Sequence, residues 1–120
     1  MKSLKTSERC AEARVRCKDL MSVYNAQKSL LGRMERENHE VKHLYHTRMM
    51  LLRNNTAAVE NILSSIKDTY GTEAEFMMKD IYVNHCRQED IARAYGYSLR
   101  TLQRRCSTWL DLAAEVYNAL

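Results

Sequence analysis

The sequence predicts an all-α chain: a long, coiled-coil-like N-terminal helix followed by a C-terminal helix-turn-helix domain. Three observations predict it. The 120 residues include 3 glycines and no proline, which leaves β-hairpins, tight turns and Gly-rich phosphate loops poorly supplied. The chain is rich in Leu, Met, Ala, Arg, Lys, Glu and Gln, which lose little side-chain freedom in a helix. Apolar residues recur at heptad spacing through the first half and at helical spacing through the second. One domain, or a small domain with an extended element, is all this length holds.

The first element is the heptad helix, expected over about residues 4–52. One seam position reads Cys10, Cys17, Tyr24, Leu31, Asn38, Tyr45 and Leu52; the position three later reads Ala13, Leu20, Gln27, Met34, Val41 and Arg48. These are a and d positions of a coiled-coil seam, and Arg48 marks its decay. Cys17, Leu20, Tyr24, Leu31, Met34, Asn38, Val41 and Tyr45 are the candidate dimerisation residues. A buried Asn at a, such as Asn38, fixes register at a cost in stability. The stripe is wide, because Val23, Leu30 and Leu44 fall at g and Met21 and Met49 at e. That width suits packing against a third element, the second half of the same chain included. Glu37 and Lys42 suit g–e′ pairing in a parallel dimer whereas Arg9 and Arg14 would repel, so the orientation stays open, and the sequence does not fix whether the helix pairs with a partner chain or folds back.

Residues 1–55 form the expected oligomerisation segment and residues 56–120 the C-terminal domain. Arg53-Asn54-Asn55-Thr56 is rich in turn and cap formers, which places a break or kink there. A helix over about 57–69 follows, with Val59, Ile62, Leu63 and Ile66 on one face and Gly71 as its C-terminal stop. Thr72-Glu73-Ala74-Glu75 then reads as a capping box, with Thr72 as N-cap. The helix it opens carries Phe76, Met77, Ile81 and Tyr82.

The most informative stretch runs from Gln88 to Cys106 and reads as helix, sharp turn, helix. Ile91 and Ala92 face inward, Gly96 stands where the chain needs φ > 0, and Ser98 is a strong N-cap. Leu102, Cys106 and Trp109 make the buried stripe of the second helix. Its outer face is left with Leu99, Arg100, Gln103 and Arg104, flanked by Thr101 and Arg105. Arg is bidentate to guanine and Gln to adenine in the major groove, and both are needed near the N-terminus of a reading helix. Ser98 at that N-terminus also suits a phosphate. Arg87, Gln88 and Arg93 are placed to hold the DNA backbone. Residues 87–105 carry five arginines and two acids, a local charge of +3, although the whole chain is only +4.

Residues 73–113, with "QEDIARAYGYSLRTLQRRC" at their centre, resemble the sigma-70 region 4 type of helix-turn-helix. The Ile-Ala, Gly-x-Ser and Thr-Leu pairs carry the resemblance, over about a third of the chain. No segment like sigma region 2 accompanies it. The combination of a helical N-terminal half with such a domain resembles the phage and prophage transcriptional regulators of the ArpU/RinA type. The resemblance implies double-stranded DNA as partner, and Glu89 and Asp90 as a surface for RNA polymerase by analogy of fold.

The other chemistry-bearing residues point elsewhere less strongly. Cys10, Cys17, Cys86 and Cys106 form no CxxC, so neither a zinc ribbon nor a thioredoxin-like centre is expected. His39, His43 and His46 share a helix face but lack a completed ligand shell, so no metal and no cofactor are expected. His85-Cys86 has no readable acid partner, so no enzyme is expected. No apolar run approaches the roughly 20 residues of a membrane span, and the reducing cytosol is the default compartment. The expected function is thus a sequence-specific DNA-binding transcriptional regulator acting as a homodimer in the cytoplasm. The alternatives are a phage DNA-packaging recognition subunit (a small terminase), which would form a ring, and a coiled-coil adaptor with no DNA affinity.

Overall fold

The computed structural model describes residues 2–37 and 43–120, with side chains from residue 8 onward. Its regular elements are helices: α1 (Lys2–Ser22), α2 (Tyr24–Glu35), α3 (His46–Tyr70), α4 (Thr72–Met78), α5 (Gln88–Tyr95) and α6 (Leu99–Ala119), with a π turn over Lys79–Val83 continuing α4. Strands are absent among the described residues. No described helix is long and apolar enough to cross a membrane.

The expected N-terminal helix is replaced by α1, α2 and the start of α3. A helix over residues 4–52, about 49 residues, would run roughly 74 Å at 1.5 Å per residue, whereas the molecule is 52 Å along its longest axis. The first interruption is Val23, at φ −105° and ψ 2°. The His85 ring lies 3.0 Å from the Ser22 carbonyl oxygen, meeting an acceptor that an unbroken helix would have satisfied itself. On the far side of the elbow, Tyr24 donates to Glu60 at 2.8 Å, Lys28 pairs with the same carboxylate at 3.2 Å, and Asn25 donates to Asn84 at 3.1 Å. These partners are 32 to 63 residues away in sequence. The bend is therefore fixed by tertiary contacts that override local helix preference.

A second departure is that α2 ends at Glu35 and α3, from His46, runs back along it. Arg53 reaches Glu35 at 3.2 Å and Lys28 reaches Glu60, so α2 and α3 run antiparallel. Leu31 and Met34 meet Met49 and Leu52 between them in a small apolar cluster. The break expected at Arg53-Asn54-Asn55-Thr56 does not occur, because α3 passes straight through it. Thr56 is buried, and its hydroxyl bonds back to the carbonyls of Leu52 and Arg53 at 2.9 and 3.1 Å. Each turn-favouring residue costs a helix only about 0.7 kcal/mol or less. Burial of Leu52, Thr56 and Val59 along one stripe outweighs that.

Gly71 ends α3 as expected and is also the joint to α4. At φ 101° it donates to the Lys67 carbonyl at 2.8 Å and accepts from the Glu75 N–H at 3.3 Å. The capping box on Thr72 is thus corrected: Gly71 occupies the cap position, and Thr72 is already helical with no side-chain cap bond at this terminus. The π turn closes with Asn84 N–H on the Lys79 carbonyl at 2.9 Å. Such a turn takes one extra residue and shifts the following side chains around the axis, and both Ile81 and Val83 are buried there.

The main core joins Cys17 and Met21 of α1, Val59, Ile62 and Ile66 of α3, Met77 and Met78 of α4, Ile91 and Ala92 of α5, and Leu102, Cys106, Trp109, Leu110 and Ala113 of α6. The N-terminal segment and the C-terminal segment share this core. Arg14 ties α1 to α6 by pairing with Asp111 and by donating to the Ser107 carbonyl at 2.9 Å.

Candidate nucleic-acid interface

α5 begins after Arg87, whose backbone is extended at φ −72° and ψ 139°. Ile91 and Ala92 are buried in the main core, so the opposite face, with Glu89, Asp90 and Arg93, is exposed. Gly96 then takes the left-handed conformation, φ 75° and ψ 25°. The Tyr97 N–H returns to the Ala92 carbonyl at 2.8 Å and the Gly96 N–H to the Arg93 carbonyl at 3.3 Å. This is the double bond pattern that closes a helix through a left-handed glycine. A Cβ at Gly96 would meet nothing within 4 Å, so the demand for glycine is conformational rather than steric crowding.

Ser98 opens α6, and its hydroxyl oxygen accepts from the Thr101 N–H at 3.1 Å. It also donates to the Thr101 hydroxyl at 2.9 Å, which holds Thr101 half-buried. The buried stripe of α6 is Leu102, Cys106, Trp109, Leu110, Ala113 and Ala114. Helical spacing therefore turns Arg100, Gln103 and Arg104 outward, and all three are exposed; Leu99 is 37% exposed beside them. Among the described residues no side-chain hydrogen bond or ion pair engages Arg100, Gln103 or Arg104. Arg104 borders a groove of about 300 Å³ between α6 and the start of α4, lined also by Tyr70, Glu73, Tyr97 and Trp109.

The remaining candidates are distributed around this end. Arg87 is exposed and pairs with Glu89 at 3.4 Å and with Asp90 at 3.7 Å. Those two acids, singled out as a polymerase surface, are thus already partnered to an arginine. Gln88 is half-buried at the first position of α5 and Arg93 is exposed in its last turn. Arg105 is not free: its guanidinium lies over the Tyr97 ring, 4.5 Å from the centroid, and Nη1 donates to the phenolic oxygen at 3.3 Å. Sequence reasoning missed this stack. Its only trace is an aromatic residue in the turn eight positions before an arginine, a spacing that no helix-face rule pairs.

The candidate dimerisation residues are placed differently from a free seam. Cys17, Leu31 and Met34 are buried, and Leu20 and Tyr24 half-buried, in contacts within the same chain. Tyr45 is 38% exposed. Asn38 and Val41 lie outside the described residues, as does His39; His43 and His46 are exposed. The wide apolar stripe thus finds its third element in α3 and α6. Cys17 sits 3.4 Å from the Ala113 carbonyl, and burial pushes its thiol up to about 11. Cys106 is also raised by burial, and Tyr82 beside it is pushed up to about 12, first by burial and then by the neighbouring thiol. Both cysteines stay protonated packing groups at neutral pH rather than nucleophiles.

No family model, no curated protein and no solved structure matches this chain.

Proposed function

We propose that the chain is a sequence-specific DNA-binding regulator of transcription, of the phage type that its α4–α6 segment resembles, reading the major groove with the first turns of α6. The observation that carries this reading is a surface of one composition. Arg100, Gln103 and Arg104 stand exposed and without intramolecular partners among the described residues, beside a capped helix N-terminus. Two guanidiniums and an amide at i, i+3 and i+4 present the donors that base edges in the major groove accept. The buried stripe beneath fixes the axis of the helix from which these side chains project.

The same proposal takes double-stranded DNA as partner and a second copy of the chain as the means of useful affinity. One reader makes few contacts, and pairing raises the effective concentration of the other. Most of the heptad seam is covered within one copy. Self-association therefore falls to what stays uncovered on the α2–α3 hairpin, where Leu44, Tyr45, Met50 and Leu51 are exposed. The mass in solution tests this part: a dimer supports it, and a ring of many copies turns the reading toward DNA packaging.

The decisive experiment selects duplexes from a random pool with the full chain, then compares Arg104→Ala on a selected duplex and on mixed-sequence DNA. The expected loss on the selected duplex is about 1–3 kcal/mol, with a smaller loss on mixed DNA. An equal loss on both removes Arg104 from base reading. Absence of any duplex binding by the unaltered chain overturns the function and leaves the adaptor alternative.

A further inference from the structure

We infer that Tyr97 is a positioning residue, whose ring holds Arg105 where the guanidinium meets a DNA backbone phosphate beside the reading face of α6. The inference rests on the DNA-binding function proposed above. Three observations lead to it. Arg105 follows the half-buried Thr101 by one helical turn, so it stands on the flank of α6 and off the outward line of Arg100, Gln103 and Arg104. A flank position beside a helix seated in a groove meets the sugar-phosphate wall rather than base edges. Second, Tyr97 is itself fixed: its N–H bonds the Ala92 carbonyl at 2.8 Å, and its ring packs on the main core. Third, the guanidinium carbon lies over that ring, 4.5 Å from its centroid, and Nη1 donates to the phenol at 3.3 Å. The remaining edge of a planar fork is left for a phosphate, whose geometry it matches.

The stack thus sets the side chain's rotamer before DNA arrives. A free arginine loses that freedom only on binding, which weakens the complex. Structural packing alone would give Tyr97 the same burial but no effect transmitted through Arg105.

A double-mutant cycle separates these. Binding to a labelled mixed-sequence duplex is measured by anisotropy for the unaltered chain, Tyr97→Leu, Arg105→Ala, and both together, with a thermal melt of each. Arg105→Ala is expected to weaken binding about fivefold, alike on selected and mixed duplexes, and to lower the salt slope by about 1. Tyr97→Leu is expected to weaken it about threefold in the unaltered background and by less than about 1.5-fold once Arg105 is gone. Arg105→Lys keeps the charge but not the plane, and is expected to lose about threefold while folding normally. That variant decides alone if Tyr97→Leu melts out. Additive losses in the cycle, or Arg105→Lys binding like the unaltered chain, overturn the positioning role and leave the function standing. No duplex binding by the unaltered chain overturns both.

Discussion

Arginines do two different jobs at two ends of this molecule. Arg14 and Arg53 span helices: Arg14 joins α1 to Asp111 and the Ser107 carbonyl of α6, and Arg53 joins α3 to Glu35 of α2. Arg100 and Arg104 lie on the same helix as Asp111, about three and two turns before it, and join nothing among the described residues. Composition does not distinguish the two sets; the difference is what faces them. Asp111 lies where α1 packs on α6, and Arg14 reaches it there. Nearer the start of α6, Arg105 is engaged by Tyr97, whereas Arg100 and Arg104 have no side-chain partner among the described residues. A side chain that ties helices contributes to stability, whereas one that ties nothing contributes only when a partner binds.

The largest test of that division removes the support common to both halves. Trp109 is 4% exposed in the main core, directly beneath the groove that Arg104 borders. Trp109→Ala is expected to cost about 3–5 kcal/mol of unfolding free energy, from lost burial and the cavity left behind. Urea denaturation followed by circular dichroism measures it. Arg104→Ala in the same assay is expected within about 0.5 kcal/mol of the unaltered chain, as for a surface residue without contacts. A loss of 2 kcal/mol or more for Arg104→Ala, about four times that bound, would place it with the tying arginines and break the comparison.

The two ends also differ in how far the sequence discloses them, and for a physical reason. At α5–α6 each determinant is local. Gly96 is needed for its own φ, Ser98 caps the helix three residues on, and the Leu102–Cys106–Trp109 stripe lies within one helix. Such signals survive in a linear string, so the turn, the cap and the exposed Arg100, Gln103 and Arg104 are all readable. In the N-terminal half, periodicity reveals that Cys17, Met21, Leu31 and Met34 face inward, but not what they face. Their partners, Val59, Ala113, Met49 and Leu52, stand many residues away. The elbow at Val23 depends on His85 and Glu60, and the continuity of α3 through Asn54-Asn55 depends on burial at Thr56; neither dependence is a local pattern. The Arg105–Tyr97 stack falls between the two cases. It is close in sequence but passes from a turn to a helix, where no periodic rule applies.

Glycine offers a middle-sized test, because two of these residues are expected to respond with opposite sign. Gly96 is left-handed at φ 75° and joins α5 to the exposed start of α6. Gly96→Ala is expected to destabilise by about 1–2 kcal/mol through backbone strain alone, since the new Cβ meets nothing. It should also weaken DNA binding, because the angle at which α6 is presented depends on that turn. Gly32 lies within α2, where an added Cβ would meet Arg36 Nη1 at an ordinary 3.7 Å. Gly32→Ala is expected to stabilise by about 0.5–1 kcal/mol and leave DNA binding untouched. Paired melts and anisotropy titrations check both; loss of duplex binding in Gly32→Ala would move the proposed DNA contact from the α5–α6 end toward the hairpin.

The smallest effect comes from the ion pairs themselves and carries a pH signature. The Tyr24 phenol donates to Glu60 at 2.8 Å and Lys28 pairs with it at 3.2 Å. The Tyr24 hydrogen bond first, and Lys28 after it, hold the Glu60 carboxyl below its usual range. Burial first, and then Glu60, push the Tyr24 phenol up to about 12. A carboxyl whose folded-state pKa is depressed binds its proton less readily than in the unfolded chain. Its contribution is therefore complete above the unfolded value, about 4.3 for Glu, and is lost as pH falls through the lower folded value. The carboxylate is about half exposed, so solvent screening limits the contribution to a few tenths of a kcal/mol. Glu60→Gln should then melt slightly below the unaltered chain at neutral pH, and the two melts should converge in acid. Arg100→Ala, which removes no partner from any carboxylate, should show no such convergence because there is no gap to close. A gap for Arg100→Ala that opened between acid and neutral pH would mean that this arginine also holds a carboxylate of its own chain. The exposed end of α6 would then be another helix tie rather than a surface kept for DNA.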